Sequence, residues 1–295
     1  MGHDEHGRAA TPRRDRILVM GVLNTTPDSF SDGGDHLPLD AAVARVREMV
    51  AEGADVIDVG GESTRPGAAP IDPVEECRRV LPVLDAVVAE TSGAGVRLSI
   101  DTRNEATARA AVTAGATMLN DVSASLWPVA ADLGVAWVAM HMAGDPRTMQ
   151  RDPQYGDVVA EVRTFLAERA AEALAAGVPE VWVDPGIGFG KTTAHNLDLL
   201  AHLDTIVEQG LPVLVGTSRK RFTGELLARS DAAGAGLSGL HGGSSVEPVD
   251  VLDRLDASLA TATWAMAQGA SMVRVHDVRA SVQAATVISG GFGAR

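Results

Sequence analysis

A chain of 295 residues can hold two small domains or one large α/β barrel. With 39 Asp plus Glu against 25 Lys plus Arg, its formal charge of −14 repels polyphosphate and argues against a nucleic-acid surface, so an anionic ligand must meet a local basic cluster. The single cysteine, Cys77, excludes an intrachain disulfide framework and a four-thiolate zinc site, and fits a reducing cytoplasm.

The segment Met1 to Arg16 is polar and lacks the apolar centre of a secretory signal, so it is expected to be a disordered arm outside a single domain at 17–295. No window approaches about eighteen uninterrupted apolar residues, so no membrane span is expected. From Ile17 onward, short apolar runs alternate with longer Ala-rich, charged stretches, the pattern of strand followed by helix. The expected strands are Ile17–Asn24, Asp55–Gly61, Arg97–Thr102, Met118–Val122, Trp137–Met142, Val181–Gly186, Pro212–Thr217 and Met272–Asp277. The expected helices are Leu39–Glu52, Pro73–Thr91, Asn104–Ala114, Pro128–Leu133, Val158–Ala176, His195–Gln209, Asp250–Gln268 and Arg279–Ile288. Six of them run into a glycine (Gly53, Gly115, Gly134, Gly177, Gly210 and Gly269), a residue that readily takes the left-handed conformation ending a helix. Eight such units predict a closed (β/α)₈ TIM barrel, with a doubly wound open sheet as the competing arrangement.

A barrel carries its active site where the strands end. The residues there are polar: Asn24, Glu62 with Thr64 and Arg65, Asp101, Asn120 with Asp121, His141, Asp184, Ser218 with Arg219 and Lys220, and Arg274 with His276. Asp and Asn side chains from different strands suit a fused nitrogen heterocycle, while Asn24, Arg65, Arg274 and His276 suit oxyanions. Two long loops, Thr25 to Pro38 and Glu62 to Asp72, are candidate lids with glycine hinges. The Gly-, Ser- and Ala-rich stretch Ser230 to Val249 reads as a flexible insertion, His241 within it as solvated, and Met140, Met142 and Met149 as packing residues.

Seven motifs, in order, resemble the dihydropteroate synthase family. They are Met20–Gly34 (MGVLNTTPDSFSDGG), Asp58–Gly67 (DVGGESTRPG), Ser99–Thr102 (SIDT), Asn120–Val122 (NDV), Asp184–Lys191 (DPGIGFGK), Ser218–Phe222 (SRKRF) and Arg274–His276 (RVH). The resemblance implies a (β/α)₈ barrel that condenses a dihydropterin methyl diphosphate with 4-aminobenzoate, giving dihydropteroate and diphosphate in folate synthesis. It further implies Mg²⁺, a homodimer and inhibition by sulfonamides. Carried over by position, Asn24 would bind metal and diphosphate. Thr64, Asp101, Asn120, Asp184, Lys220, Arg274 and His276 would contact the pterin substrate, with Asp101, Lys220, Arg274 and His276 taking the catalytic roles. Phe30, Arg65, Pro66, Phe189 and Ser218 would frame the second substrate. Arg221 stands where some relatives carry a serine, and the stretch Ser230 to Val249 is longer and richer in glycine than the family pattern.

The residue types fit that chemistry. Losing diphosphate leaves charge of both signs to stabilise: Arg and His serve the anion, and Asp101 and Asp184 serve the pterin cation. Aminobenzoate attacks through an amine that is already neutral, so no general base is needed. Two other readings share the pattern, a pterin-binding methyltransferase and a catalytically silent pterin-binding protein. The first should lack the Ser-Thr-Arg-Pro and Ser-Arg-Lys-Arg stretches present here.

Overall fold

The computed structural model describes residues 16–25, 37–63, 70–145, 147–234 and 247–291. The expected arm lies almost wholly outside them, as do Phe30, Thr64, Arg65, Pro66, His241 and the centres of both candidate lids. The elements run β1 (Leu18–Asn24), α1 (Leu37–Ala51), β2 (Val56–Gly60), α2 (Pro73–Gly93), β3 (Arg97–Asp101), α3 (Glu105–Thr113), β4 (Met118–Asp121), α4 (Trp127–Leu133) and β5 (Ala136–Met140). They continue with α5 (Val158–Ala175), β6 (Val181–Asp184), α6 (Thr193–Ala201), α7 (Leu203–Val207), β7 (Leu214–Val215), α8 (Arg221–Gly234), α9 (Leu255–Ala267), β8 (Met272–Val275) and α10 (Val278–Gly291).

All strand pairs are parallel, in the order β6-β5-β4-β3-β2-β1-β8-β7. A parallel bridge between Val183 and Val213 then joins β6 to β7, which closes the ring and disposes of the open sheet. Local chemistry sets the helix starts. Asp72 caps α2 by accepting the Val74 N–H at 2.8 Å, with Pro73 at the first helical position, and Asp157 caps α5 by accepting the N–H groups of Val159 and Ala160. The six chain-reversing glycines all have positive φ, as expected.

Two apolar layers result. The outer one joins the strands to the helices, with Ile57, Ile100, Leu119 and Val273 among residues such as Val46, Leu84 and Leu166. The inner one plugs the barrel with Leu18, Met20, Val56, Met118, Ala136, Val138, Trp182, Leu214 and Met272. Because side chains alternate along a strand, the residue two positions beyond each plug residue also faces inward, one layer nearer the mouth. Val56 is thus followed by Asp58, Met118 by Asn120, Trp182 by Asp184 and Met272 by Arg274.

The structure corrects three expectations. The insertion expected from Ser230 begins later, because α8, a helix absent from the expected set, runs from Arg221 through Gly234, and residues 235–246 lie outside the described set. The single helix at His195–Gln209 is two, α6 and α7, parted at His202, where the backbone leaves helical values (φ −115°, ψ 27°). The helix expected from Asp250 opens instead with a 3₁₀ turn, Val251–Asp253, before α9.

Gly115, between α3 and β4 at the base of the barrel, sits at φ +110°, and a Cβ there would lie 2.4 Å from Val88 Cγ2. Gly115→Ala is therefore expected to lower the unfolding free energy by about 1–3 kcal/mol in urea titration. An unchanged midpoint would contradict that account of the turn.

Candidate active site

At the mouth, the guanidinium of Arg274 reaches from β8 past β1 to side chains on β2 and β3. Its Nε donates to Asp58 Oδ2 and its Nη2 to Asp101 Oδ2, each at 2.7 Å. Asn120, on β4, donates through Nδ2 to the same Asp58 oxygen at 2.9 Å. Asp58 is fully buried, and its other oxygen has no partner among the described residues. Burial works against the Arg274 charge, but Asp58 and Asp101 outweigh it and raise its pKa further. Burial pushes Asp101 up to about 7, against the pull of Arg274 and Lys220 and with the help of Asp58 and Glu76.

Lys220 stands just after β7, the strand beside β8. Its Nζ donates to the Ile187 carbonyl at 2.5 Å and lies 3.9 Å from the centre of the Phe189 ring, a cation–π contact. Burial lowers Lys220 to about 7, while Asp184 and Asp101 favour its charge. Asp184, at the end of β6, accepts the Gly186 N–H at 2.7 Å; burial raises its pKa, and Lys220 pulls the other way. Asp101, Asn120, Asp184, Lys220 and Arg274 therefore form one connected electrostatic group.

Ser218 and His276 make a second pair at the rim. Ser218 Oγ accepts the His276 backbone N–H at 3.1 Å and lies 3.0 Å from His276 Nδ1. The hydroxyl thus holds both the backbone and the ring of His276, which fixes the imidazole at the rim. Between Ser218 and Lys220, Arg219 adopts φ +58°, a conformation rare for a residue with a side chain. Three contacts hold it there: its N–H donates to Ser258 Oγ at 2.9 Å, its carbonyl accepts from Arg254 Nη1 at 3.1 Å, and its guanidinium pairs with Asp277 at 2.8 Å. The turn sends Ser218 and Lys220 to the mouth while Arg219 braces it from outside.

Asn24 is half-buried at the end of β1, in register with Gly60, where a Cβ would lie 3.8 Å from its Oδ1. No group of three His, Cys, Asp or Glu side chains able to hold a metal occurs among the described residues. A hard cation at this mouth would accordingly take most of its oxygens from a ligand and from water, and a neutral amide oxygen such as that of Asn24 fits that arrangement.

The protein-family model described as pterin binding enzyme matches residues 20–276. The dihydropteroate synthase of Mycobacterium leprae is 46% identical over 284 residues, covering 92% of each chain. The chain belongs to the dihydropteroate synthase family of pterin-binding enzymes. Among solved structures, Xanthomonas albilineans dihydropteroate synthase with 4-aminobenzoic acid superposes with TM-score 0.81 at 46% identity, covering 94% of this chain and 93% of the other. The same enzyme has been solved in complex with 7,8-dihydropteroate. Yersinia pestis dihydropteroate synthase in a sulfonamide drug complex gives 0.82 at 39% identity, covering 95% of both chains. The chain spans about half the length of some plant relatives, 48% of the mitochondrial folate synthesis bifunctional protein of Arabidopsis thaliana.

Within this dihydropteroate synthase fold, two strand-end candidates serve the scaffold. Asp121 is fully buried and accepts from Ser123, Ser125, Leu126 and the Trp137 indole, which ties the β4–α4 turn to β5. His141, at the end of β5, is buried against Lys191. Conversely, Asp58 belongs to the mouth although it lies inside its strand. The alternation with Val56 and Gly60 was the available signal. Glu76, on α2, is a second such residue: it is fully buried and its Oε2 accepts from Thr102, Asn104 and Thr107, securing the turn after Asp101.

Proposed function

We propose that the chain is a dihydropteroate synthase, which joins (7,8-dihydropterin-6-yl)methyl diphosphate to 4-aminobenzoate and releases diphosphate. The observation that carries this reading is the meeting of Asp101, Asn120, Asp184, Lys220 and Arg274 from separate strand ends in one buried polar layer above an apolar plug.

In this reading the carboxylates of Asp101 and Asp184 accept hydrogen bonds from the pterin ring nitrogens and amino group. Their negative charge then stabilises the cation formed as diphosphate departs, a dissociative route that fits a site built of fixed charges. Lys220 donates to the pterin carbonyl. Asn120 orients the heterocycle, and Arg274, held edge-on by two carboxylates, offers the flat face of its guanidinium to a planar ring. His276, held at the rim by Ser218, serves the leaving anion together with Arg65. Thr64 contacts the pterin substrate, and Phe30, Arg65, Pro66, Phe189 and Ser218 frame aminobenzoate. Mg²⁺, held by Asn24 with diphosphate and water, would supply charge neutralisation of the leaving group. The amine of aminobenzoate needs no base, so the second step requires only positioning.

Sulfonamides would compete with aminobenzoate for the same frame. The reading includes a cytoplasmic homodimer. Half-exposed Trp264 on α9 and Leu197 on α6 give an apolar face, with the Trp264 indole bonded to the Leu200 carbonyl across the two helices. Sedimentation equilibrium at micromolar concentration should return twice the chain mass, and the single-chain mass would rule the dimer out. Among the described residues, no helix is long and apolar enough to cross a membrane.

Incubation with the diphosphate ester, Mg²⁺ and labelled aminobenzoate is expected to yield labelled dihydropteroate. Retention of aminobenzoate with no product would overturn the assignment in favour of a silent binder. Because Asp101 must be ionised to act and burial holds it up to about 7, kcat/KM for the ester should climb on its acid side toward that region, and it should fall on the alkaline side as Lys220, lowered to about 7, loses its proton. Asp101→Asn should lower the maximum by about 100-fold and flatten the acid limb. A variant with the parent's maximum and acid limb would remove Asp101 from its role.

A further inference from the structure

Lys191 is a buried cation that the reaction does not use. It follows the loop Pro185–Gly190 and is only 2% exposed. Its ammonium donates to the carbonyls of Gly186 and Phe189, each at 3.0 Å, and meets His141 Nδ1 at 2.9 Å and the His141 carbonyl at 3.4 Å. Three more carbonyls of the loop are held by side chains: Ile187 by Lys220 at 2.5 Å, Gly188 by Gln150 at 2.7 Å, and Gly190 by Tyr155 at 2.9 Å. Gly186, Gly188 and Gly190 have φ of 65°, 85° and 60°, which lets successive carbonyls turn toward different partners. There is no slack on the inner side, because a Cβ on Gly186 would stand 1.8 Å from the His141 carbonyl and one on Gly190 2.4 Å from that of Ala143.

We propose that Lys191 is a positioning residue whose ammonium winds this loop so that the Ile187 carbonyl and the Phe189 ring meet Lys220 at the mouth. The inference rests on the reading above, in which Lys220 contacts the pterin and Phe189 frames aminobenzoate. The charged and titratable groups facing Lys191 are His141 from the end of β5, Asp184 from the end of β6 and Lys220 from beyond β7. None is a carboxylate in direct contact. Burial accordingly lowers Lys191 to about 7, against the support of Asp184, and burial with the nearby Lys191 lowers His141 to about 3. A cation buried at such cost is poorly explained as a stabilising device, since an apolar side chain of similar volume often serves stability as well or better. What methionine cannot do is gather the carbonyls of Gly186 and Phe189 to one point.

Kinetics of the parent, Lys191→Met, Lys191→Gln and Gly115→Ala test this, with melting temperatures recorded for each. Gly115→Ala perturbs the base of the barrel, so it reports what lost stability alone does to turnover. Lys191→Met is expected to lower kcat/KM for the diphosphate ester by about tenfold or more and to raise KM for aminobenzoate, because small displacements of a substrate-holding group are amplified in rate. Lys191→Gln, which keeps two N–H donors, should fall between Lys191→Met and the parent, and Gly115→Ala should match the parent. A folded Lys191→Met with the parent's constants, or one that loses no more than Gly115→Ala, would overturn the proposal. Should Lys191→Met fail to fold, Lys191→Gln decides: intermediate constants sustain the proposal and the parent's constants end it. An inactive parent would instead sink the synthase reading itself.

Discussion

A guanidinium held inside the mouth of a barrel must be neutralised where it stands, and the geometry of this site follows from how that is done for Arg274. Asp58 from β2 and Asp101 from β3 each take one of its N–H groups, and Asn120 from β4 shares the Asp58 oxygen. Buried ion pairs of this kind add little net stability, because the desolvation of the charges offsets most of their attraction. Their effect is geometric. Four strands are tied to one planar cation, and Asp101 is left with a charge balanced so finely that burial moves it toward neutrality.

The barrel separates this polar layer from its structural support. Beneath it, Met20, Trp182 and Met272 are fully buried in an apolar plug, with the Trp182 indole donating to Glu180 at 2.8 Å. Around it, the β6–α6 and β7–α8 turns are wound through positive φ values at Gly186, Gly188, Gly190 and Arg219, and each is fixed by side chains that face away from the mouth. Stability and recognition are thus carried by different residues along the same strands, two positions apart. The polar groups can be arranged for a ligand because the plug and the outer shell hold the fold without them.

Much of this was legible in the sequence because it depends on short-range rules. Strand-then-helix alternation marked the eight units, and glycines such as Gly53 and Gly177 marked helix ends by the backbone they alone adopt easily. Asp101, Asn120, Asp184 and Arg274 stood out as polar residues closing apolar runs. Asp58 was hidden for the opposite reason, lying within a run whose other members are apolar or glycine, where only the inward alternation distinguishes it. The break at His202 falls inside a stretch of continuous helical pattern, and α8 was missed altogether because its second half has a loop-like composition. Lys191 looked like the tail of a motif, since nothing local shows that carbonyls from its own loop and the imidazole of His141, fifty residues earlier, converge on it.

Asp58, though enclosed, should govern ligand affinity through Arg274 and Asn120. Calorimetric titration of 6-hydroxymethylpterin into Asp58→Asn tests it most directly, provided the variant's circular dichroism matches the parent's. Affinity weaker by about tenfold is the predicted result, the scale expected when a coupled buried network loses one member. An affinity equal to the parent's would contradict the claim and reduce the Arg274 network to scaffolding.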